Sequence, residues 1–301
     1  EVLKKVAKED PSIKIEINEE TGENLISGMG ELHLEIIENR IKTEKGLDVK
    51  TSSPIVVYRE SASKESPSVE GRSPNKHNIF YMRVEPLEDN IYEAIKSGDI
   101  REGRIKKKNE NTFKVFSSLG WSGDMIRNVR DVYKGNLLLD ETRGEVHIGE
   151  VIEMVMDAFE MVMNQGPLAR EPCIKLKVSL VDTKLHEDAI HRGPAQVYPA
   201  VREAIVEAMK KGGAHLLEPL QVHVIESPNK FLGDITKLVG GKRGQMLEVS
   251  QTESDSEIRA KLPVAEMIGW ASDLRSATEG RGTSSLLDQS FEKIPVGLQA
   301  D

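Results

Sequence analysis

The chain has 301 residues, 38% of them hydrophobic and 30% charged, with a mean hydropathy of -0.41; this suits a soluble globular protein of two or three domains rather than one core. Its net charge of -9 argues against a protein that coats nucleic acid through many lysine and arginine contacts to phosphate, so any RNA contact must be local. No apolar run approaches the roughly 20 residues needed to cross a bilayer and no charged-then-apolar leader opens the chain, so a cytosolic protein without membrane contact is expected.

From Val2 to about Lys8 a short helix is predicted, ended by Asp10-Pro11. Ile13, Ile15 and Ile17 alternate with Lys14 and Glu16 as a strand, Glu20 to Glu23 reads as a turn, and Asn24 to Ser27 as the returning strand. After Gly28-Met29-Gly30 comes a helix with Leu34, Ile37 and Ile41 on one side, then a strand at Leu47 and Val49. The order αββαβ is a ferredoxin-like split unit without its first strand. With a start at Glu1 directly in a helical pattern, it suggests a piece of a longer protein.

Ser52-Ser53-Pro54 reads as a linker into a larger region, about Ile55 to Gly213. Predicted there are a strand from Ile55 to Tyr58, a polar loop Ser73 to Asn78, a strand from Ile79 to Val84 and a helix near Ile91 to Ser97. A second helix, about Val151 to Met163, carries the stripe Ile152, Val155, Phe159 and Met163, its methionines reading as core filler. Cys173, the one cysteine, reads as a small buried hydrophobe and cannot form an internal disulfide. Ile174 to Leu180 alternates into a strand, the loop Leu185 to Gly193 follows, and a helix with Val197, Val201, Ile205 and Ala208 on one face runs to Lys210-Lys211-Gly212-Gly213. The remainder repeats the first pattern in full: a strand at Leu220 to Val224, a helix capped by Ser227-Pro228, strands at Met246 to Ser250 and Glu257 to Leu262, a helix with Trp270, Leu274 and Ala277, and a last strand near Ser285 to Phe291.

Familiar chemical motifs fail on spacing. His186-Glu187 with His191 resembles a zinc-protease helix, but a spacing of five turns the second histidine about 140° from the first on a helix. A dinucleotide fingerprint starting at Gly28 would need glycine where His33 stands, and a phosphate loop ending at Lys242 would need glycine where Thr236 stands. Glu187 and Asp188 flank His191, yet nothing supplies a nucleophile or an oxyanion site. The basic runs Arg101, Arg104, Lys106 to Lys108 and Lys242-Arg243 read first as solvated faces. What remains is a loop tip: Lys76, His77, His186, His191 and Arg192 at one end of an αβ body would make a basic, hydrogen-bonding probe for phosphates and 2′-hydroxyls of folded RNA, provided the 73–78 and 185–194 loops lie together.

The motifs Ser27 to Ile36 (SGMGELHLEI), Ser73 to Asn78 (SPNKHN), Leu185 to Gly193 (LHEDAIHRG), Gly241 to Gln245 (GKRGQ) and Gly269 to Gly282 (GWASDLRSATEGRG) together resemble the archaeal-type elongation factor 2 family of translocation GTPases along the whole chain. The resemblance implies an α+β fold in which two ferredoxin-like domains, 1–53 and 216–301, flank a ribosomal-protein-S5-like domain, 54–215. It implies a translation factor that drives tRNA and mRNA through the ribosome in the cytoplasm of an archaeal-type cell. GTP and Mg would be held by an amino-terminal domain absent here, so no cofactor, metal or catalytic residue is expected in this chain, and a monomer is expected. His191 takes the position of the diphthamide histidine, which implies diphthamide-synthesis enzymes and an ADP-ribosylating toxin as further partners. Lys76, His77, His186, Asp188 and Arg192 are implied as tip-loop RNA contacts. One departure is visible: eukaryotic members follow the histidine and arginine with a run of glycines, whereas Gly193-Pro194-Ala195 stands here, so a stiffer loop is expected. Two other readings stay open: a related spliceosomal or ribosome-assembly GTPase that keeps the scaffold without translocating, and a self-contained hydrolase using His186 and His191.

Overall fold

The computed structural model describes residues 2–17, 24–28, 31–46, 48–51, 56–105 and 110–298. Packing divides the chain into two units, Glu1–Val57 with Glu218–Glu292, and Tyr58–Leu217 with Lys293–Asp301.

In the first unit, α1 (Val2–Glu9), β1 (Lys14–Ile17), β2 (Asn24–Ser27) and α2 (Glu31–Lys45) follow in order, with β1 and β2 antiparallel. Val6, Ile13, Ile37 and Ile41 form their core, which is the periodicity seen in the sequence. Asp10 closes α1: its carboxylate accepts from Ser12 and pairs with His33 at 2.9 Å, and the Ser12 hydroxyl first, then His33, hold its pKa down to about 2. Gly28 lies against α2, where a Cβ would meet His33 Nδ1 and Leu34 Cδ2 at 3.0 Å. The strand predicted at Leu47 and Val49 is not found: Leu47 lies outside the described residues, and Asp48 to Lys50 form no strand although Val49 packs on the core.

The second unit begins with β3 (Arg59–Ala62), β4 (Val69–Arg72), β5 (Ile79–Pro86) and α3 (Asp89–Lys96). The strand predicted at Ile55 to Tyr58 is displaced: Ile55 is not described, Val56 to Tyr58 are not in a strand, and pairing starts at Arg59. Then come β6 (Gly103–Arg104), α4 (Glu110–Ser118), α5 (Gly123–Asn128), β7 (Val129–Tyr133), β8 (Asn136–Asp140), α6 (Ile148–Asn164), β9 (Leu176–Lys184) and α7 (Pro194–Lys211). The sheet order is β4-β5-β9-β8-β7-β6, antiparallel except for the parallel pair β8 and β9 that α6 bridges. Both faces are covered. Leu138 packs with Phe80, Met82, Phe159 and Ile205 under α6 and α7, while its neighbours Leu137 and Leu139 pack with Ile91, Phe116 and Trp121 under α3, α4 and α5. Strand β8 therefore reads as an unbroken apolar run without alternation. Glu60, 0% exposed, accepts from the backbone N–H groups of Leu168, Ala169 and Glu171, which satisfies a buried carboxylate without a cation.

Strand β10 (Ala214–Pro228) pairs with β3 through its first four residues. In the first unit it continues with α8 (Leu232–Gly241), β11 (Gln245–Gln251), β12 (Asp255–Pro263), α9 (Trp270–Ala277) and β13 (Thr283–Lys293). The order β11-β12-β10-β13 is the ferredoxin-like arrangement read from the sequence. Ser227 and Pro228 do not cap α8 as predicted. They stay in β10, where Ser227 pairs with Ser256, and α8 begins after a short 3-10 turn without a side-chain cap. No helix among the described residues is long and apolar enough to cross a membrane.

Candidate functional site

Strand β9 ends at Lys184, and nine residues connect it to α7. The connection is not loose. Asp188 Oδ1 accepts from Ile190 N at 3.1 Å, which starts a 3-10 turn over Ala189–His191, and Asp188 N donates to His186 Nδ1 at 3.0 Å. Pro194 is the first residue of α7 and Gly193 its cap. The proline expected to stiffen the loop instead starts the helix, where its missing N–H leaves no bond unmade.

The 73–78 loop turns back on itself through Lys76 N to Ser73 O at 2.7 Å, with Lys76 in the left-handed region at φ 62. Asn78, 0% exposed, joins the two loops: its Nδ2 donates to His191 O at 2.7 Å and its Oδ1 accepts from His186 N at 3.0 Å. Asn75 adds Nδ2 to His191 O at 3.1 Å and N to Gln196 Oε1 at 2.9 Å. The two loops thus lie together. Their histidine rings meet, with centroids 4.9 Å apart for His77 and His186, 4.8 Å for His77 and His191, and 4.4 Å for His186 and His191. Lys76 and His77 are exposed, His186 and His191 half-buried, and Ile190 between them is 80% exposed.

Arg192 does not face outward as the sequence suggested. It is 4% exposed, donates to the carbonyls of His186 and Glu187, and pairs with Glu150 in the first turn of α6. Arg192 first, then His147, hold the Glu150 carboxyl below the usual range. The guanidinium therefore ties the loop to α6 and is spent within the protein, and Asp188 is likewise occupied in capping its turn. Sequence reasoning missed Asn75, Asn78, Glu150 and Gln196 as the residues that assemble the tip; only the Asx-type turn chemistry of Asn75 was locally legible.

Three members of the basic runs pair with acidic side chains, while Arg101 is exposed. Arg104 binds Glu153, Asp157 and Glu160 on α6, and Arg243 binds Glu218 and Glu266. Lys242 pairs with Asp273 at 2.9 Å. Lys106 to Lys108 lie outside the described residues. Among the described residues no group of three or more histidine, cysteine, aspartate or glutamate side chains is placed to hold a metal ion.

Three family models match the chain: Elongation Factor G domain III over residues 1–53, Elongation factor G domain IV over 98–213, and the Elongation factor G C-terminus over 215–301. Among curated relatives, Elongation factor 2 of Nanoarchaeum equitans is 52% identical over 302 residues, covering 99% of this chain and 41% of the relative. The proteins of the same name from Methanosphaera stadtmanae and Thermococcus onnurineus are 49% and 48% identical, each over 99% of this chain. The chain spans 40% and 41% of the length of these last two.

Proposed function

Since the chain belongs to the elongation factor G and elongation factor 2 family, we propose that it is the ribosome-engaging part of a GTP-dependent factor that moves tRNA and mRNA. GTP and Mg are then held in the portion of the relatives that this chain does not match. The modules are 1–53, 54–215 and 216–301, working as a monomer in the cytoplasm. His191 is the diphthamide position, served by diphthamide-synthesis enzymes and open to an ADP-ribosylating toxin.

The observation that carries the reading is the joining of two loops 113 residues apart by Asn78. Side chains that must meet folded RNA need a fixed base, because ordering a free loop on binding costs affinity. With the backbone of His191 held by two asparagines, Lys76, His77, His186 and His191 form a preorganised donor surface toward phosphate and 2′-hydroxyl groups. A quaternary ammonium added at His191 gives a permanent cation where an imidazole is mostly neutral at pH 7. The net charge of -9 argues against binding spread over many lysine and arginine contacts to phosphate.

Co-sedimentation with archaeal ribosomes tests the reading. Weak binding that falls with added salt is expected, together with a loss on Lys76→Ala plus His77→Ala and no GTP turnover by the chain itself. Failure to sediment at low salt, or binding indifferent to both substitutions, refutes it. Intact-mass analysis of protein from the native host checks the modification of His191.

A further inference from the structure

Several cations of the second unit are neutralised within it: Arg83 pairs with Glu141, Arg130 with Asp140 and Lys177 with Glu85. One end of that unit departs from the pattern. Helix α7 finishes at Lys210 and Lys211. The chain after β3 returns to the same place, where Ser63 N and Lys64 N each donate to Gly212 O at 3.0 Å. Beyond β13, Ile294 N donates to Leu216 O at 3.2 Å. Burial first, and also the charge of Lys293, hold the His215 imidazole below its ordinary range, which places that cation beside the same strand. Lys64, Lys210, Lys211 and Lys293 are all exposed. Among the described residues, only Lys211 has a carboxylate partner, Glu207 at 3.8 Å; the nearby acids Glu65 and Glu292 are turned to Arg83 and Lys261. The dipole of α7 accounts for lysines in its last turn. It does not account for Lys64 and Lys293, which come from two other segments. In a chain with 50 acidic residues against 41 lysines and arginines, four neighbouring cations with one distant partner leave a local positive field.

We propose that Lys64, Lys210, Lys211 and Lys293 form a second RNA contact, at the end of α7 away from the histidine loops, which takes the phosphodiester backbone without reading bases. The RNA assignment rests on the functional reading above; the anion-binding patch does not. Helix α7 starts beside the 185–193 loop and runs for 18 residues, about 27 Å at 1.5 Å per residue, so the two contacts are separate. Lysine meets phosphate as a point charge on a flexible stem, so the four need no fixed geometry. An RNA strand offers evenly spaced charges in any register, which an acidic peptide does not. Each phosphate neutralised releases condensed counterions, so the contact shows itself as salt dependence. No covalent bond changes.

The test is fluorescence anisotropy of a short labelled oligouridylate on the full chain, titrated in KCl from about 50 to about 200 mM. At about 0.7 counterion per phosphate on a single strand, four contacts give a log–log slope of about −3, a roughly 50-fold loss of affinity over that range. Lys64→Gln, Lys210→Gln, Lys211→Gln and Lys293→Gln together should cut that loss by at least about fivefold, with the circular dichroism spectrum unchanged. A control with the same charge change, Lys8→Gln, Lys96→Gln, Lys114→Gln and Lys237→Gln, all at exposed positions, should keep the parent slope. A slope unchanged in the first variant, or flattened equally in the second, overturns the patch. Polyglutamate that displaces the oligouridylate as well as polyuridylate does at equal charge overturns the RNA assignment. Oligouridylate binding that depends on the four lysines, in a chain that does not sediment with ribosomes, leaves the patch standing and removes the functional reading. Sedimentation that needs Lys76 and His77, with a salt slope indifferent to the four lysines, does the reverse.

Discussion

Asp131 on β7 is 0% exposed, and no donor side chain reaches its carboxylate within hydrogen-bond distance. Its neighbours are the Glu160 carboxyl, itself bound to Arg104, and Arg104, which is already shared with Glu153 and Asp157. Burial first, then the charge of Glu160, push the Asp131 carboxyl up from 3.8 to about 7. A folded-state pKa above the unfolded one means that the stability is full below the unfolded value and drains away as pH rises from about 4 through about 7. Three units at ~1.4 kcal/mol each set a ceiling of ~4 kcal/mol, and relaxation with water entry around the ionised group should leave ~2 kcal/mol. Asp131→Asn removes the ionisation and supplies a donor toward Glu160. The variant should therefore be more stable than the parent by ~2 kcal/mol near pH 8, with the gap falling below half of that near pH 5. Urea unfolding followed by tryptophan fluorescence measures this. The chain has two tryptophans, so a Trp270→Phe background leaves Trp121 as the reporter inside the unit that holds Asp131. A pH-independent gap, or a variant less stable near pH 8, refutes the account of a carboxyl kept neutral by burial beside the Glu160 charge.

Other substitutions probe how the tip and its platform are held. Asn78→Ala removes the side chain that bonds both His186 and His191 and should cost ~2 kcal/mol, with faster native-state hydrogen exchange at the His186 amide as the direct readout. Gly71→Ala should sharply lower the melting temperature, because a Cβ there would lie 2.0 Å from Ala200 O and 2.8 Å from Ala204 Cβ, backbone and side chain of α7 that have nowhere to move. Glu60→Ala strips the acceptor from three backbone N–H groups and should cost ~3 kcal/mol in chemical unfolding, whereas Glu60→Gln, which keeps one acceptor oxygen, should cost less.

The sequence announced elements that bury one stripe. Ile37 and Ile41 on α2, Val155 and Phe159 on α6, and Val201 and Ile205 on α7 all fall inward as their spacing requires. The ferredoxin-like order after Ala214 was legible for the same reason, with Ile258, Ala260 and Leu262 alternating on β12. Strands β7 and β8 were not, because a strand covered on both faces loses the alternation that marks it, and the two residues of β6 carry no pattern at all. At the tip the residue types were readable and their partners were not. That Asn78 binds His191, and that Arg192 turns to Glu150 on α6, depends on contacts 113 and 42 residues apart, which local periodicity does not encode.

Cys173 is 0% exposed, and burial pushes its thiol far above the ordinary range. As it is the one cysteine in the chain, maleimide and iodoacetamide reagents find no native thiolate to attack while the fold is intact. A sulfhydryl introduced at the 80% exposed position of Ile190 will take a fluorophore or spin label selectively, and distances from the tip to a bound partner become measurable without first deleting any native residue.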